Sequence, residues 1–172
     1  MPQNQPSHLE KRAVVSSFIF KLPTDPDSKP LVALFKRSAK VSTYTHHLAP
    51  ISGSISPTTD PTPLAAAQRE LSEETELDAS SLTLWRTGEP FTFSDESVGR
   101  EWTVFPFGFL LKREDEGGKG EEGVRTDWEH EGWGWYDPDE VLAGDGEVMV
   151  KGVPGVPRLK ESLGRVWRGE ED

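Results

Sequence analysis

The stretch Arg69-Glu70-Leu71-Ser72-Glu73-Glu74-Thr75-Glu76-Leu77 constrains this chain more than any other. Leu64, Ala67, Leu71 and Thr75 recur at helical spacing and form a stripe that can face a core. Beside that stripe, at about 100° per residue, Glu70, Glu73 and Glu74 fall within roughly 100° of arc. The pattern predicts a helix over about residues 63–76, with Thr62 as its cap and Pro63 in its first turn. Three clustered carboxylates repel one another, and a hard divalent cation with oxygen ligands is their natural partner. Arg69 lies four residues before Glu73, so the two can pair along the helix and fix one carboxylate rotamer. A solvated acidic helix face is the plainer alternative for such a pattern on its own.

The rest of the chain has the makings of one domain. At 172 residues it is long enough to bury a core, and six Trp and eight Phe can anchor one although only 34% of residues are hydrophobic. The net charge of −11 argues against duplex nucleic acid or an anionic membrane surface as partner, because binding there rests on Lys and Arg. With no Cys there is no disulfide, thiol nucleophile or Cys-zinc site, which fits a reducing, cytoplasmic setting. No apolar run reaches the ~18 residues of a membrane span, and the N-terminus lacks an apolar signal core.

Residues 1–10 read as a loose tail and residues 11–172 as the domain. Ala13 to Phe20 and Leu31 to Arg37 read as partner strands, rich in β-branched and aromatic residues. Leu82 to Arg86 and Trp102 to Leu111 are strand-like, with Pro106 suggesting an edge or a bulge in the second. Glu114 to Gly123 holds only charged residues and Gly and reads as a mobile loop. Trp133 to Tyr136 reads as a short strand and Asp137 to Leu142 as a helix start. A last helix, about residues 157–168, puts Leu159, Leu163, Val166 and Trp167 on one face. Strands interspersed with a few helices give an α/β (α+β) domain.

The acidic helix in this setting resembles the Nudix hydrolase family. That family's motif is a Gly, then a Glu, then Arg-Glu-hydrophobic-x-Glu-Glu-x-Gly-hydrophobic on a loop–helix–loop. Ser52-Gly53-Ser54-Ile55 is similar to the glycine segment. Ala65 to Leu71 is similar to the helix, and Glu73 to Leu77 to its acidic end. Three departures stand out. Gly53 and Arg69 are sixteen positions apart, two more than in the motif, so Pro57 to Thr62 carries an insertion. Counting back from Arg69 puts Pro61 at the place of the first Glu, with Asp60 the nearest acid. Glu76 replaces the late Gly, where a residue other than Gly at positive φ costs on the order of 1 kcal/mol.

The resemblance implies a mixed β-sheet sandwiched between α-helices and a metal-dependent hydrolysis of a nucleoside diphosphate linked to another group. It implies magnesium or manganese on Glu70, Glu73 and Glu74, with Arg69 supporting the site. A carboxylate must take the proton of the attacking water. Glu73 or Glu129 suits that role, with Glu131 second, although both later acids also read as plain loop residues. Lys36, Arg37 and the Gly53 backbone are candidates for the substrate phosphates, with Arg100 a further one. Asp95, Glu96 and Glu101 read most simply as turn acids. Trp85, Phe91, Phe93, Trp102, Trp133 and Trp135 can stack a base or fill a core. His46 and His47 would point to opposite faces of a strand.

A narrower similarity joins Pro90 to Val104, Glu129 to Trp133 and Val156 to Trp167. These segments resemble the N-terminal Nudix domain of fungal translation initiation factor 2B alpha-like, ribose-1,5-bisphosphate isomerase-like proteins. That resemblance implies a small phosphorylated substrate such as ADP-ribose and a fused or partner isomerase-like domain. A homodimer is also compatible. Three functions stay open on the sequence: a pyrophosphohydrolase, a Nudix-fold nucleotide-binding module with little catalysis, and a regulatory domain attached to a neighbouring enzyme.

Overall fold

The β-rich segment around Ala13–Phe20 forms the middle of strand β1 (Glu10–Lys21), which lies parallel to β7 (Arg100–Leu111) over eleven residue pairs. The computed structural model describes residues 9–169. The expected tail therefore lies outside the described residues for positions 1–8, while Glu10 already belongs to β1. Each central strand is flanked by two shorter ones placed end to end. On β1 these are β2 (Leu31–Arg37), paired at Ile19–Lys21, and β4 (Ile51–Ser54), paired at Val14–Ser17. On β7 they are β6 (Phe91–Asp95), paired up to Val104, and β5 (Leu82–Thr87), paired from Phe107. β3 (Leu48–Ala49) and β8 (His130–Tyr136) complete an eight-stranded mixed sheet by pairing with β2. A separate two-stranded ribbon joins β9 (Met149–Val150) to β10 (Val153–Pro154).

Pro106 is not at an edge. It faces Ser16 in the middle of the sheet. Its other side falls at the changeover from β6 to β5, where Gly88 donates to its carbonyl at 2.9 Å. The missing N–H is tolerated because no regular ladder partner sits there. The strand β6 is not among the expected strands, and Asp95, read as a turn acid, closes it. Its Phe91 and Phe93 pair with Val104 and Trp102. The charged Gly-rich segment holds two short 3₁₀ turns, Glu114–Glu116 and Glu121–Gly123. Glu121 ties it to the sheet, accepting from Trp135 Nε1 at 2.8 Å and Lys21 Nζ at 2.9 Å.

Helix α1 (Pro63–Thr75) covers one face of the sheet. Its Ala66, Ala67 and Leu71 pack on Val15, Ile19, Phe35, Ile51 and Phe109. The opposite face receives α2 (Pro138–Leu142) and α3 (Leu159–Trp167). There Leu159, Leu163 and Val166 meet Phe18, Phe20, Val32 and Leu34. The sheet is thus sandwiched between helices, as the family resemblance implies. Among the described residues, no helix is long and apolar enough to cross a membrane.

Candidate active site

Helix α1 begins where its sequence says it should. Thr62 Oγ1 accepts from the Ala65 N–H at 3.1 Å, and Pro63 sits where its missing donor is harmless. It ends on Glu76, whose φ of 63° is left-handed and whose N–H donates to the Ser72 carbonyl at 3.0 Å. The replacement of Gly by Glu therefore leaves the turn in place, with a strained residue in it.

Arg69 knits the altered loop to the helix. Its Nε and Nη2 grip both oxygens of Asp60 at 2.9 and 2.8 Å, and Nη2 also donates to the Ser54 carbonyl at 3.1 Å. Asp60 is buried, accepts from the Ser56 N–H at 2.7 Å, and has its carboxyl pulled down to about 2 by Arg69 first and Ser56 second. Asp60 is the acid that faces Arg69 across the inserted loop. The remaining Nη1 of Arg69 reaches Glu70 at 3.1 Å and Glu73 at 3.2 Å. The expected Arg69–Glu73 pair exists, as one arm of a larger hub.

The three box acids occupy different surroundings. The Glu73 side chain is exposed and Glu70 is largely covered. Glu74 is buried at 4% exposure, turned toward the sheet with Leu71 and Thr75. Burial first, then a hydrogen bond with Glu70 and the charge of Glu129, pushes the Glu74 carboxyl up to about 10. Gly53 on β4 makes this crowding feasible, because the Glu70 carboxyl lies where a Cβ on Gly53 would have to be.

The loop before β8 brings further acids to the same place. The Glu129 N–H donates to Asp127 Oδ1 at 3.0 Å, and its carbonyl accepts from Ser38 at 2.8 Å. The Glu129 carboxyl is held above its ordinary range by burial, then by Asp127 and Glu70. Arg37 at the end of β2 feels both Glu129 and Glu74, while its Nε donates to the Thr43 carbonyl at 3.1 Å. Glu131 and Lys36 stand apart from this group. Glu131 meets His46 Nδ1 at 2.9 Å and Lys36 Nζ at 3.6 Å. His46 and His47 precede β3 rather than alternating within a strand.

Two residues here escaped the sequence reading, Asp127 and His130. The His130 side chain is buried, with Nε2 3.9 Å from Glu74 Oε1 and Nδ1 3.5 Å from Asp127 Oδ1. The one available signal was Asp127 standing two positions before Glu129. A bulge opposite Lys36 and Arg37 turns His130 toward Phe35 and leaves Glu131 outside, which strict alternation would have reversed.

The all-oxygen set of Glu70, Glu73, Glu74 and Glu129 suits a hard divalent ion, and the buried, proton-holding Glu74 beside Glu70 is what crowded carboxylates do when they converge. Among the described residues, no three His, Asp or Glu side chains stand close enough to hold such an ion as they are. Glu73 is turned to Arg69, and the Glu74 carboxyl is raised by burial and by its hydrogen bond with Glu70. The residues fit the ion in chemistry, and binding would require Glu74 to give up its proton.

A cavity of about 300 Å³ adjoins Gly53 and Arg37 and runs to Phe93, Asp95, Arg100 and Trp102. Tyr44 closes one side of it, its hydroxyl donating to Asp95 Oδ2 at 2.9 Å. Arg100 also lies 3.6 Å from Glu10. Of the aromatic candidates, Phe93 and Trp102 line this space, whereas Trp85, Trp133 and Trp135 pack against the two cores. A larger groove of about 820 Å³, between Lys21 and Glu122, is lined by none of the box acids.

Comparison with known proteins agrees with this architecture. The NUDIX domain family matches residues 17–153. No curated protein matches the chain in sequence. Among solved structures, a C. elegans Ap4A hydrolase in a binary complex is 20% identical, with a TM-score of 0.58 over 76% of this chain and 83% of that one. A Nudix hydrolase from M. Smegmatis, RenU, is 19% identical, with a TM-score of 0.63 over 90% and 83%. The NUDIX domain of Shewanella oneidensis NrtR, complexed with ADP ribose, is 13% identical, with a TM-score of 0.63 over 90% and 85%. At these identities the likeness is one of fold. The comparisons reach the family and lend no support to the narrower resemblance to fungal initiation-factor-like proteins. With the family match spanning most of its length, the chain belongs to the Nudix family.

Proposed function

We propose that this chain, a Nudix hydrolase acting on pyrophosphate bonds, cleaves a nucleoside diphosphate linked to another group, using magnesium or manganese on Glu70, Glu73 and Glu74. The observation that carries this reading is the crowding of Glu70, Glu74 and Glu129 into one another's field beside Arg37. A bound divalent ion would polarise the phosphoryl group and acidify a coordinated water. The chain's own residues do the rest. Arg37 draws the substrate's phosphates toward the acids. Glu129, made more basic by its surroundings, accepts a proton from the attacking water. Arg69 and Asp60 hold the loop and helix in register.

The adjoining cavity suits the organic half of the substrate, with the Phe93 and Trp102 rings on its wall. Because a Nudix neighbour is complexed with ADP ribose, ADP-ribose is the first compound to try. A nucleotide-binding domain with little turnover is the second reading. It is favoured by the engagement of Glu73 with Arg69. A homodimer and a fused isomerase-like domain have no observation behind them, and an intracellular location remains an expectation from the lack of Cys.

The test is monophosphate release from ADP-ribose, dinucleotides, nucleotide sugars and nucleoside triphosphates, with and without magnesium or manganese. Glu70→Gln serves as control. Metal-dependent turnover lost in the variant supports the hydrolase. No turnover, with a nucleotide still raising the melting temperature, supports the binding domain instead.

A further inference from the structure

The cavity of about 300 Å³ beside Gly53 gathers positive charge in an acidic chain. Arg37, Arg100 and Arg158 line it, although the chain carries a net charge of −11. Among the described residues, Asp95 is the one carboxylate on its wall, and both of its oxygens are taken. Oδ2 accepts from the Tyr44 hydroxyl at 2.9 Å, and Oδ1 accepts from the Ser97 N–H at 3.1 Å. Arg37 stands toward the box acids, where it feels Glu129 and Glu74. Arg100 and Arg158 belong to the far end. Their guanidiniums lie over the rings of Trp102 and Phe93, 5.5 and 5.2 Å from the centroids. Those two rings are cross-strand partners on β7 and β6, so they hold two cations on neighbouring supports.

The salt partners of these two arginines are exposed and off the lining. Glu10 lies 3.6 Å from Arg100 and Glu161 2.9 Å from Arg158, and exposed pairs of this kind give way readily to a better anion. Arg158 is held in a left-handed conformation, φ 65°, with its N–H donating to Glu147 Oε1 at 3.1 Å. Strain of that sort in a residue other than Gly gathers where a ligand is clamped. Two hydroxyls add to the pattern. Ser16 on β1 and Ser162 on α3, 7% and 4% exposed, both line the cavity. Neither hydroxyl makes a hydrogen bond among the described residues. A buried hydroxyl without a partner is costly, and the cavity is where the partner would come from. We propose that the far end of this cavity binds a second phosphate, a monoester on the organic half of the substrate and separate from the pyrophosphate that is cleaved. Arg100 and Arg158 are its counter-charges, and Ser16 and Ser162 bond the polar groups beneath it. This rests on the reading of the cavity as the seat of the organic half. Guanidinium forks match phosphate oxygens, and a ribose phosphate on a nucleotide is met by Arg in this way. The substrate class narrows from ADP-ribose to its ribose-phosphorylated relatives.

Binding at this end can be read without turnover. Calorimetry on the full chain in chelator compares AMP with adenosine 2′,5′-bisphosphate and adenosine 3′,5′-bisphosphate. Each bisphosphate adds one ribose phosphate to AMP, and none of the three has a pyrophosphate to cleave. One of the bisphosphates is expected to bind about tenfold tighter than AMP or better, as the charge-assisted hydrogen bonds of one phosphate supply. In Arg158→Gln and in Arg100→Gln that preference is expected to fall to within about threefold, with the thermal midpoint without ligand near that of the wild type. Both side chains are partly exposed, so the fold tolerates the changes. Equal binding of all three compounds overturns the proposal. A preference that survives both substitutions overturns it too, as does inorganic phosphate alone binding as tightly as the bisphosphates. No binding of any nucleotide overturns it together with the reading of the cavity as the seat of the organic half. Magnesium-dependent cleavage of ADP-ribose and of its 2′-phosphate is scored apart. No turnover of either, with the binding preference intact, defeats the hydrolase reading and supports this inference.

Discussion

The Glu70 carboxyl fills the space that a side chain on Gly53 would need. A strand residue and a helix residue are thus in contact only because one of them has no Cβ. Gly53 has an ordinary negative φ, so its value lies in this close approach and not in backbone freedom. Gly53→Ala must displace the Glu70 carboxyl from its present place. Displacements of about 1 Å in a catalytic group cost on the order of a hundredfold in rate. The expected outcome is a loss of that size in kcat/KM, with far-ultraviolet circular dichroism unchanged.

Asp60 gives the site a dependence on acid. Its folded carboxyl is depressed to about 2, against an ordinary value near 3.9 for the unfolded chain. Its contribution to stability is therefore complete above about pH 4 and is lost as the pH falls through about 2. The melting temperature of Asp60→Asn is expected below that of the wild type at pH 6. The gap should close as both are taken from pH 4 toward 2. A gap that is constant across that range would show that the Arg69 pairing is not its source.

Glu74 shows the opposite sign. Its folded carboxyl is raised, so the unfolded chain ionises first, and wild-type stability falls as the pH rises from the ordinary carboxylate range near 4 toward about 10. Glu74→Gln supplies a neutral side chain of the same shape. In chelator at pH 7 it is expected to melt above the wild type by a few degrees, with metal-dependent turnover abolished. A variant that melts lower would contradict the burial of a reluctant charge.

Glu129 and Glu131 are near neighbours with different surroundings. Glu129 lies among Asp127, Glu70 and Arg37, whereas Glu131 meets His46 and Lys36 on the surface. Glu129→Gln is expected to lower kcat by about a hundredfold to ten-thousandfold, the range for loss of a general base. Its effect on KM should be small. Glu131→Gln is expected to leave both within about twofold, since exposed ion pairs contribute little. Rates under saturating substrate for the two variants check this directly.

Much of this architecture follows from local sequence. Thr62 and Pro63 start α1, the spacing of Ala67, Leu71 and Thr75 sets its buried face, and β-branched runs make β1, β2 and β7. These signals act within a few residues, so they can be read along the chain. The acids Glu70, Glu73 and Glu74 come together for the same reason, because one helix carries them. Their separate surroundings do not follow from helix geometry. Glu74 is buried and Glu73 exposed only because the sheet lies on one side of α1.

Long-range pairing decided the remainder. Asp60 meets Arg69 through the fold of an inserted loop whose contacts no spacing rule specifies. Pro106 sits in a central strand because two neighbouring strands change over beside it. One bulge across from Arg37 turns His130 toward the acids and Glu131 away from them. A shift of one residue reverses every side chain of a strand, and alternation read along the chain cannot detect it. The sequence by itself determined the helix, its acids and the longer strands of the sheet, β1, β2 and β7. Which carboxylates face one another, and which histidine stands behind them, was decided by tertiary contacts between segments distant in the chain.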